Sequence, residues 1–173
     1  MANNKKRYLI FAFQLVAAAV LAAVDQLIKK AVVSEIKGKG DIVVIKNAIA
    51  LSYSENTGAA FSAFSNSTML LSVITLIMLI AITAYLFFAK IENKAVNIAA
   101  AMVLGGGGGN LIDRFAQGYV VDYIKTLFVD FPIYNFADIL VTVGVVIIVV
   151  YLIYSIIKDE KKKKNGEAAD GNS

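Results

Sequence analysis

Four long apolar stretches restrict this chain more than any other feature. Residues 8–24, 68–88, 95–112 and 139–157 carry no charged side chain, and each comes close to the roughly 20 residues that a helix needs to cross a bilayer. Within hydrocarbon a backbone must satisfy its own hydrogen bonds, so runs of this kind fold as helices. A chain that is 58% hydrophobic with a mean hydropathy of +0.69 is poorly suited to a water-soluble domain. The expected fold class is therefore an all-α polytopic membrane protein. Its four transmembrane helices fall at about 8–27, 68–88, 95–112 and 138–157 in a single membrane domain, 1–158, with outer loops 31–67 and 113–137. Residues 159–173 are small, polar and lysine-rich and read as a disordered cytoplasmic tail.

The first run invites a second reading, because its alanine-rich end at 17–23 resembles a signal-peptide cleavage region. That run exceeds the usual apolar core of about 7 to 15 residues, and three more spans follow it, so an uncleaved helix is expected. The first loop has features of its own. Gly38 and Gly40 mark a turn, and Ile42 to Ile45 reads as a short strand. Ile49, Leu51 and Tyr53 then alternate with small or polar residues, the period of a half-covered strand. A small sheet is thus expected outside the membrane. It is followed by Asn56, Gly58, Ala59, Ala60 and Phe61, where small residues let another backbone approach, although a plain turn explains them equally well.

With four spans both termini share a side. That side holds ten basic residues (Lys5, Lys6, Arg7, Lys90, Lys94, Lys158 and 161–164) against seven in the two longer loops. The positive-inside rule places it in the cytoplasm. These basic residues flank apolar runs instead of interleaving with aromatics, which argues against nucleic acid as a partner. There is no cysteine and no histidine, so thiol nucleophiles, imidazole bases and the usual zinc ligands are excluded. Any chemistry has to come from carboxylates, lysines, hydroxyls or amides, with no cofactor or metal expected.

The topology gathers such groups at the outer end of the helices. Asp25, Gln26 and Lys29 end the first, Asn56 precedes the second, Asn110, Asp113 and Arg114 end the third, and Asn135, Ala137 and Asp138 begin the fourth. Ionisable groups near a bilayer are costly and usually functional. Each has a bland reading. Asp25 and Lys29, four apart, could be an exposed pair worth a few tenths of a kcal/mol. Asp113 and Arg114 could hold each other or a lipid phosphate, and Asp138 could simply cap a helix. The glycines at 105–109 fit close helix packing; a phosphate loop would need a preceding strand and a following Gly-Lys-Ser/Thr. Asp122, among valines and a tyrosine, is expected to titrate high, whereas a helix dipole favours the ionised form of Asp138. That split suits an acid and base pair.

Taken in order, Asp25-Gln26-x-x-Lys29, Asn56-x-Gly58-Ala59-Ala60-Phe61, Gly109-Asn110-x-x-Asp113-Arg114, Val121-Asp122 and Asn135-x-Ala137-Asp138 resemble the signal peptidase II (lipoprotein signal peptidase) family. The resemblance implies an aspartyl endopeptidase of the bacterial inner membrane, working at its outer face. Its substrates would be diacylglyceryl-modified prolipoproteins, cut before the lipid-modified cysteine. Asp122 and Asp138 would be the catalytic pair. Asp25, Lys29, Asn56, Gly58, Asn110, Asp113, Arg114, Asn135 and Ala137 would bind substrate or support the pair. Membrane lipids would be the other partners, with the chain acting as a monomer. The family usually carries alanine and a larger apolar residue where Gly107 and Gly108 stand, and phenylalanine is common at Tyr123 and Tyr134. Two other readings are a serine-lysine protease using Ser52 or Ser54 with Lys29, and a carboxylate-lined ion or proton carrier.

Overall fold

The computed structural model describes residues 2–58, 67–88, 91 and 93–170. Ala59, Ala60 and Phe61 of the Asn56 motif, and Lys90 with Glu92, lie outside the described residues. The elements run α1 (Ala2–Ile36), β1 (Ile42–Ile45), β2 (Ile49–Asn56), α2 (Thr68–Phe88), α3 (Lys94–Gln117), β3 (Val120–Thr126) and α4 (Phe136–Asp170). Four segments, Asn4–Ile36, Thr68–Phe88, Lys94–Gln117 and Phe136–Lys161, are long and apolar enough to span a membrane. On α2 and α4 large side chains such as Ile77, Ile80, Val146, Val150 and Ile153 are exposed, as a face against lipid tails requires. The protein is a multi-pass membrane protein with four helices and a small sheet.

At the centre lies α3, packed against α1, α2 and α4. Its composition explains this position. Ala99, Ala100, Ala101, Gly105, Gly106, Gly107 and Gly109 are all buried, and small residues let helix backbones approach in a setting where apolar burial alone drives little association. Close contact is strict at Gly106, where a Cβ would run into the backbone oxygen of Ala137 on α4. Around Gly108 a Cβ would meet nothing within 4 Å. The packing reading of the glycine run therefore holds at some positions and not at others. At its start α3 is capped by Asn93, whose side-chain oxygen accepts from the N–H groups of Ala95 and Val96. It ends at Gly118, in the left-handed region with φ 81°, where the N–H returns to the Arg114 carbonyl at 3.1 Å. Lower on the bundle, buried Gln14 of α1 donates to Asn97 of α3 at 3.0 Å.

The strands pair antiparallel in the order β1-β2-β3. Ser54 is opposite Asp122 and Asn56 opposite Val120. β1 and β2 correspond to the strands expected from alternation. β3 was not expected, since residues 113–137 read as loop. Val120, Val121, Asp122 and Tyr123 are all buried, so both faces are covered and no alternation marks the strand. The end of α1 covers one of those faces, with Val32 and Ile36 against Val121 and Tyr123.

Two boundaries also differ. α1 runs beyond the expected end near residue 27 to Ile36, carrying Asp25 and Lys29 inside a continuous helix. α4 continues to Asp170 where a disordered tail from 159 was expected. The lysines, glutamates and alanines there are good helix formers, so propensity extends the helix past the apolar run.

Candidate active site

Where α1, α3, β2, β3 and the start of α4 meet, the polar residues of the five motifs form one connected network. It is built around the first turn of α4. Asn135 is the residue before the helix; its Oδ1 accepts the N–H of Asp138 at 2.9 Å, and its own N–H donates to Asp138 Oδ2 at 3.0 Å. This is the reciprocal pattern of a capping box, so the capping reading of Asp138 is correct as far as one oxygen goes. The remaining free N–H groups of the turn are also met. Phe136 donates to the Tyr123 hydroxyl, and Ala137 to Asp25 Oδ1, both at 3.2 Å. Ala137 is wholly buried, and its small side chain suits the tight approach to α3.

Asp122 sits mid-strand on β3 with only 2% of its surface exposed. Asn135 Nδ2 donates to its Oδ1 at 2.6 Å, and Asn56 Nδ2 to its Oδ2 at 2.8 Å. Asp138 Oδ1 receives Asn110 Nδ2 at 2.7 Å. Every carboxylate oxygen of the two aspartates thus accepts a hydrogen bond, and Asn135 touches both residues. Two of the amides cannot turn round, because each oxygen is held by a backbone N–H: that of Gly58 for Asn56, at 2.9 Å, and that of Asp138 for Asn135.

Behind this layer Asp25, Lys29 and Asp113 form an ion triad, with the ammonium 2.7 Å from Asp25 and 2.9 Å from Asp113. The reading of Asp25 and Lys29 as an exposed interfacial pair is corrected by their exposures of 0% and 3%. Gln26 bonds Asp113 at 2.8 Å and the Gly109 carbonyl at 3.1 Å. Asp113 accepts the Val121 N–H at 3.2 Å, tying α3 to β3. Asp113 and Arg114 therefore serve different ends. Arg114 leaves its neighbour to other partners and reaches the Gly58 carbonyl at 3.4 Å.

Asp122, Asp138, Asn56, Asn110 and Arg114 face one cavity of about 540 Å³. Its far walls are apolar, with Met78, Leu79 and Ile82 from α2 and Ile139 and Val141 from α4. A second, polar cavity shares Asn56 and Asp122 and adds Glu55, Lys125 and Asp130. Of the residues expected from the sequence, Asp122, Asp138, Asn56, Gly58, Asn110 and Arg114 line these cavities, while Asp25, Lys29, Asp113, Asn135 and Ala137 lie in the network behind them. Gln26 and Tyr123 were not counted among them. Gln26 lies inside the Asp25 motif, but nothing local marked the Tyr123 hydroxyl as a cap for a helix thirteen residues away.

Burial pushes Asp122 from the usual 3.8 up to about 6, helped by the charge of Asp138 and opposed by the hydrogen bonds from Asn56 and Asn135. A folded-state value above the unfolded one means the native protein binds more protons between pH 4 and 6, so stability falls as pH rises through that window. Relative to Asp122→Asn, the wild type should lose on the order of 2–3 kcal/mol across it. Thermal unfolding of both proteins at pH 4 and pH 6.5 checks this; parallel pH dependences would contradict it.

A model of the family described as Signal peptidase (SPase) II matches residues 17–154. Among curated relatives, a lipoprotein signal peptidase of Clostridium acetobutylicum is 38% identical over 152 residues, covering 86% of this chain and 97% of that protein. One of Streptococcus pneumoniae is 36% identical, covering 78% and 88%. A solved structure described as a bacterial membrane enzyme superposes with a TM-score of 0.78 at 30% identity, over 84% of this chain and 90% of that one. Matches spanning the motifs and all four helices make this chain a member of the signal peptidase II family.

Proposed function

We propose that this protein is a membrane aspartyl endopeptidase that removes signal peptides from diacylglyceryl-modified bacterial prolipoproteins, cleaving before the lipid-modified cysteine. Asp122 and Asp138 are its catalytic pair. The observation that carries the reading is two carboxylates bridged by one asparagine at the polar end of an apolar cavity. A lipid-bearing substrate needs both halves of such a site.

In the ground state one aspartate is ionised and its partner protonated, and the proton belongs to the pair. The ionised member takes a proton from water as its oxygen adds to the scissile carbonyl carbon. The protonated member donates to the carbonyl oxygen. When the tetrahedral species collapses, the C–N bond breaks, the leaving amine takes a proton from the member that received one from water, and a hydroxyl returns a proton to the other, restoring the pair. Asn56, Asn110 and Asn135 hold the carboxylates, Arg114 and the Gly58 segment bind substrate, and Asp25, Lys29, Asp113 and Ala137 keep the start of α4 in place. The basic residues near both termini support a cytoplasmic location for the termini and an outer-face site. The chain acts as a monomer.

The serine-lysine alternative lacks a base, since the Lys29 ammonium is held between two carboxylates and an amide. A carrier would place its ionisable groups near mid-span, whereas Asp138 lies in the first turn of α4, Asp113 near the end of α3 and Asp122 on β3. In detergent the protein should release the signal peptide from a lipid-modified precursor and leave the unmodified precursor intact. Equal cleavage of both would refute the stated specificity.

A further inference from the structure

Asn110 is the one amide touching the aspartates whose orientation depends on another side chain. Its Oδ1 accepts from Lys29 Nζ at 2.8 Å and from Asn135 Nδ2 at 3.1 Å, which leaves Nδ2 facing Asp138 at 2.7 Å. An ammonium has three donors and no acceptor. Those of Lys29 are matched by Asp25, Asp113 and Asn110.

We infer that Lys29 is a positioning residue for the proposed reaction: its ammonium locks the Asn110 amide so that an N–H always faces Asp138. Turned over, the amide would set its NH2 against an ammonium and its oxygen against a carboxylate, two repulsive contacts in a buried site. Held as it is, it gives Asp138 a second fixed donor beside the Asn135 backbone N–H. The two donors hold one carboxylate oxygen each and so fix the side chain at the cavity wall. Asp25 and Asp113 anchor the lysine, so the triad acts on the catalytic pair through one amide. The charged groups around Asp138 are Asp122 on β3, Arg114 and Asp113 on α3, and Lys29 and Asp25 on α1, while α2 contributes Thr75, Met78, Leu79 and Ile82 to the shared cavity. Lys29 is the one among them bonded to Asn110.

This inference rests on the peptidase reading, and the test separates the two. Lys29→Met alone would strand two buried carboxylates, so the variant of choice is Lys29→Met with Asp113→Asn, which removes one charge of each sign. The kcat and KM of the full-length protein are measured on a lipid-modified precursor. In the balanced variant turnover should fall about 10- to 100-fold, the scale of a small misplacement at a reacting centre. The loss should fall on kcat, with KM changed less than about threefold, because the apolar cavity walls from α2 and α4 are untouched. In an Asn110→Ala background the same double change should cost less than about twofold more, since Lys29 then has nothing to lock. A loss carried by KM, losses that simply multiply, or a balanced variant that fails to fold would each overturn the role of Lys29. A wild type inert toward the precursor would instead overturn the peptidase reading itself.

Discussion

Asp122→Asn and Asp138→Asn are each expected to lower turnover of a lipid-modified precursor by about 10²- to 10⁴-fold, the range for removing a group that transfers a proton in the transition state. An amide can neither take a proton from water nor give one to the leaving amine. The substitutions are nearly isosteric, so the protein should remain folded, with Asp138→Asn still able to accept the Asn135 N–H that caps α4. KM should change much less than kcat, because the apolar cavity walls from α2 and α4 are untouched. Combining the two substitutions should cost little beyond either one, since in the proposed reaction the residues act as a unit. Active-site-normalised kcat from the two single variants and the double variant decides the matter. A single variant retaining a tenth of wild-type turnover would remove that residue from the pair.

The second large effect is expected in the glycine run. A Cβ on Gly106 would collide with the backbone oxygen of Ala137 and approach Leu140 Cβ at 3.0 Å. Backbone cannot step aside as a side-chain tip can, so Gly106→Ala must push the first turn of α4 away from α3. Overpacking of this kind costs about 1–3 kcal/mol. The displaced turn carries Asp138, and a shift of about 1 Å at a reacting group can cost 100-fold in rate. Gly108→Ala is the matched control. It meets no atom within 4 Å and should be neutral, or stabilising by up to about 1 kcal/mol through helix propensity. Thermal unfolding in detergent and turnover separate the cases, and a Gly106→Ala protein with wild-type values in both would discredit the packing argument. Gly107 falls between these extremes, because its added Cβ would meet Leu79 Cδ2 at 2.9 Å, the movable end of a flexible side chain. Glycine at 107 and 108 therefore affects helix propensity more than contact with α4.

Much of the site was legible because its residues lie at the ends of uncharged runs, where carboxylates and amides stand out. Asp25, Asn110 and Asp138 were grouped by topology alone, since alternate helices bring their outer ends together. β3 was hidden: a strand buried on both faces has the same apolar run as any buried segment, and only its pairing with β2 distinguishes it. The state of Lys29 was hidden as well. Its spacing from Asp25 fits an exposed pair and a buried one equally, and only the arrival of Asp113 from α3 excludes water.

From the sequence by itself came the number of spans, their order, the gathering of polar residues at one end of the bundle and the family to which the motifs point. All of these depend on local hydropathy and spacing, which the chain displays without folding. What the tertiary structure alone decided is orientation: which oxygen of each aspartate meets which donor, and which way each amide faces. Those depend on partners such as Lys29 and Asn110, 81 positions apart, or Asp25 and Ala137, 112 apart. A hydrogen bond is lost within about an ångström of misplacement, so its geometry exists only once the helices have packed.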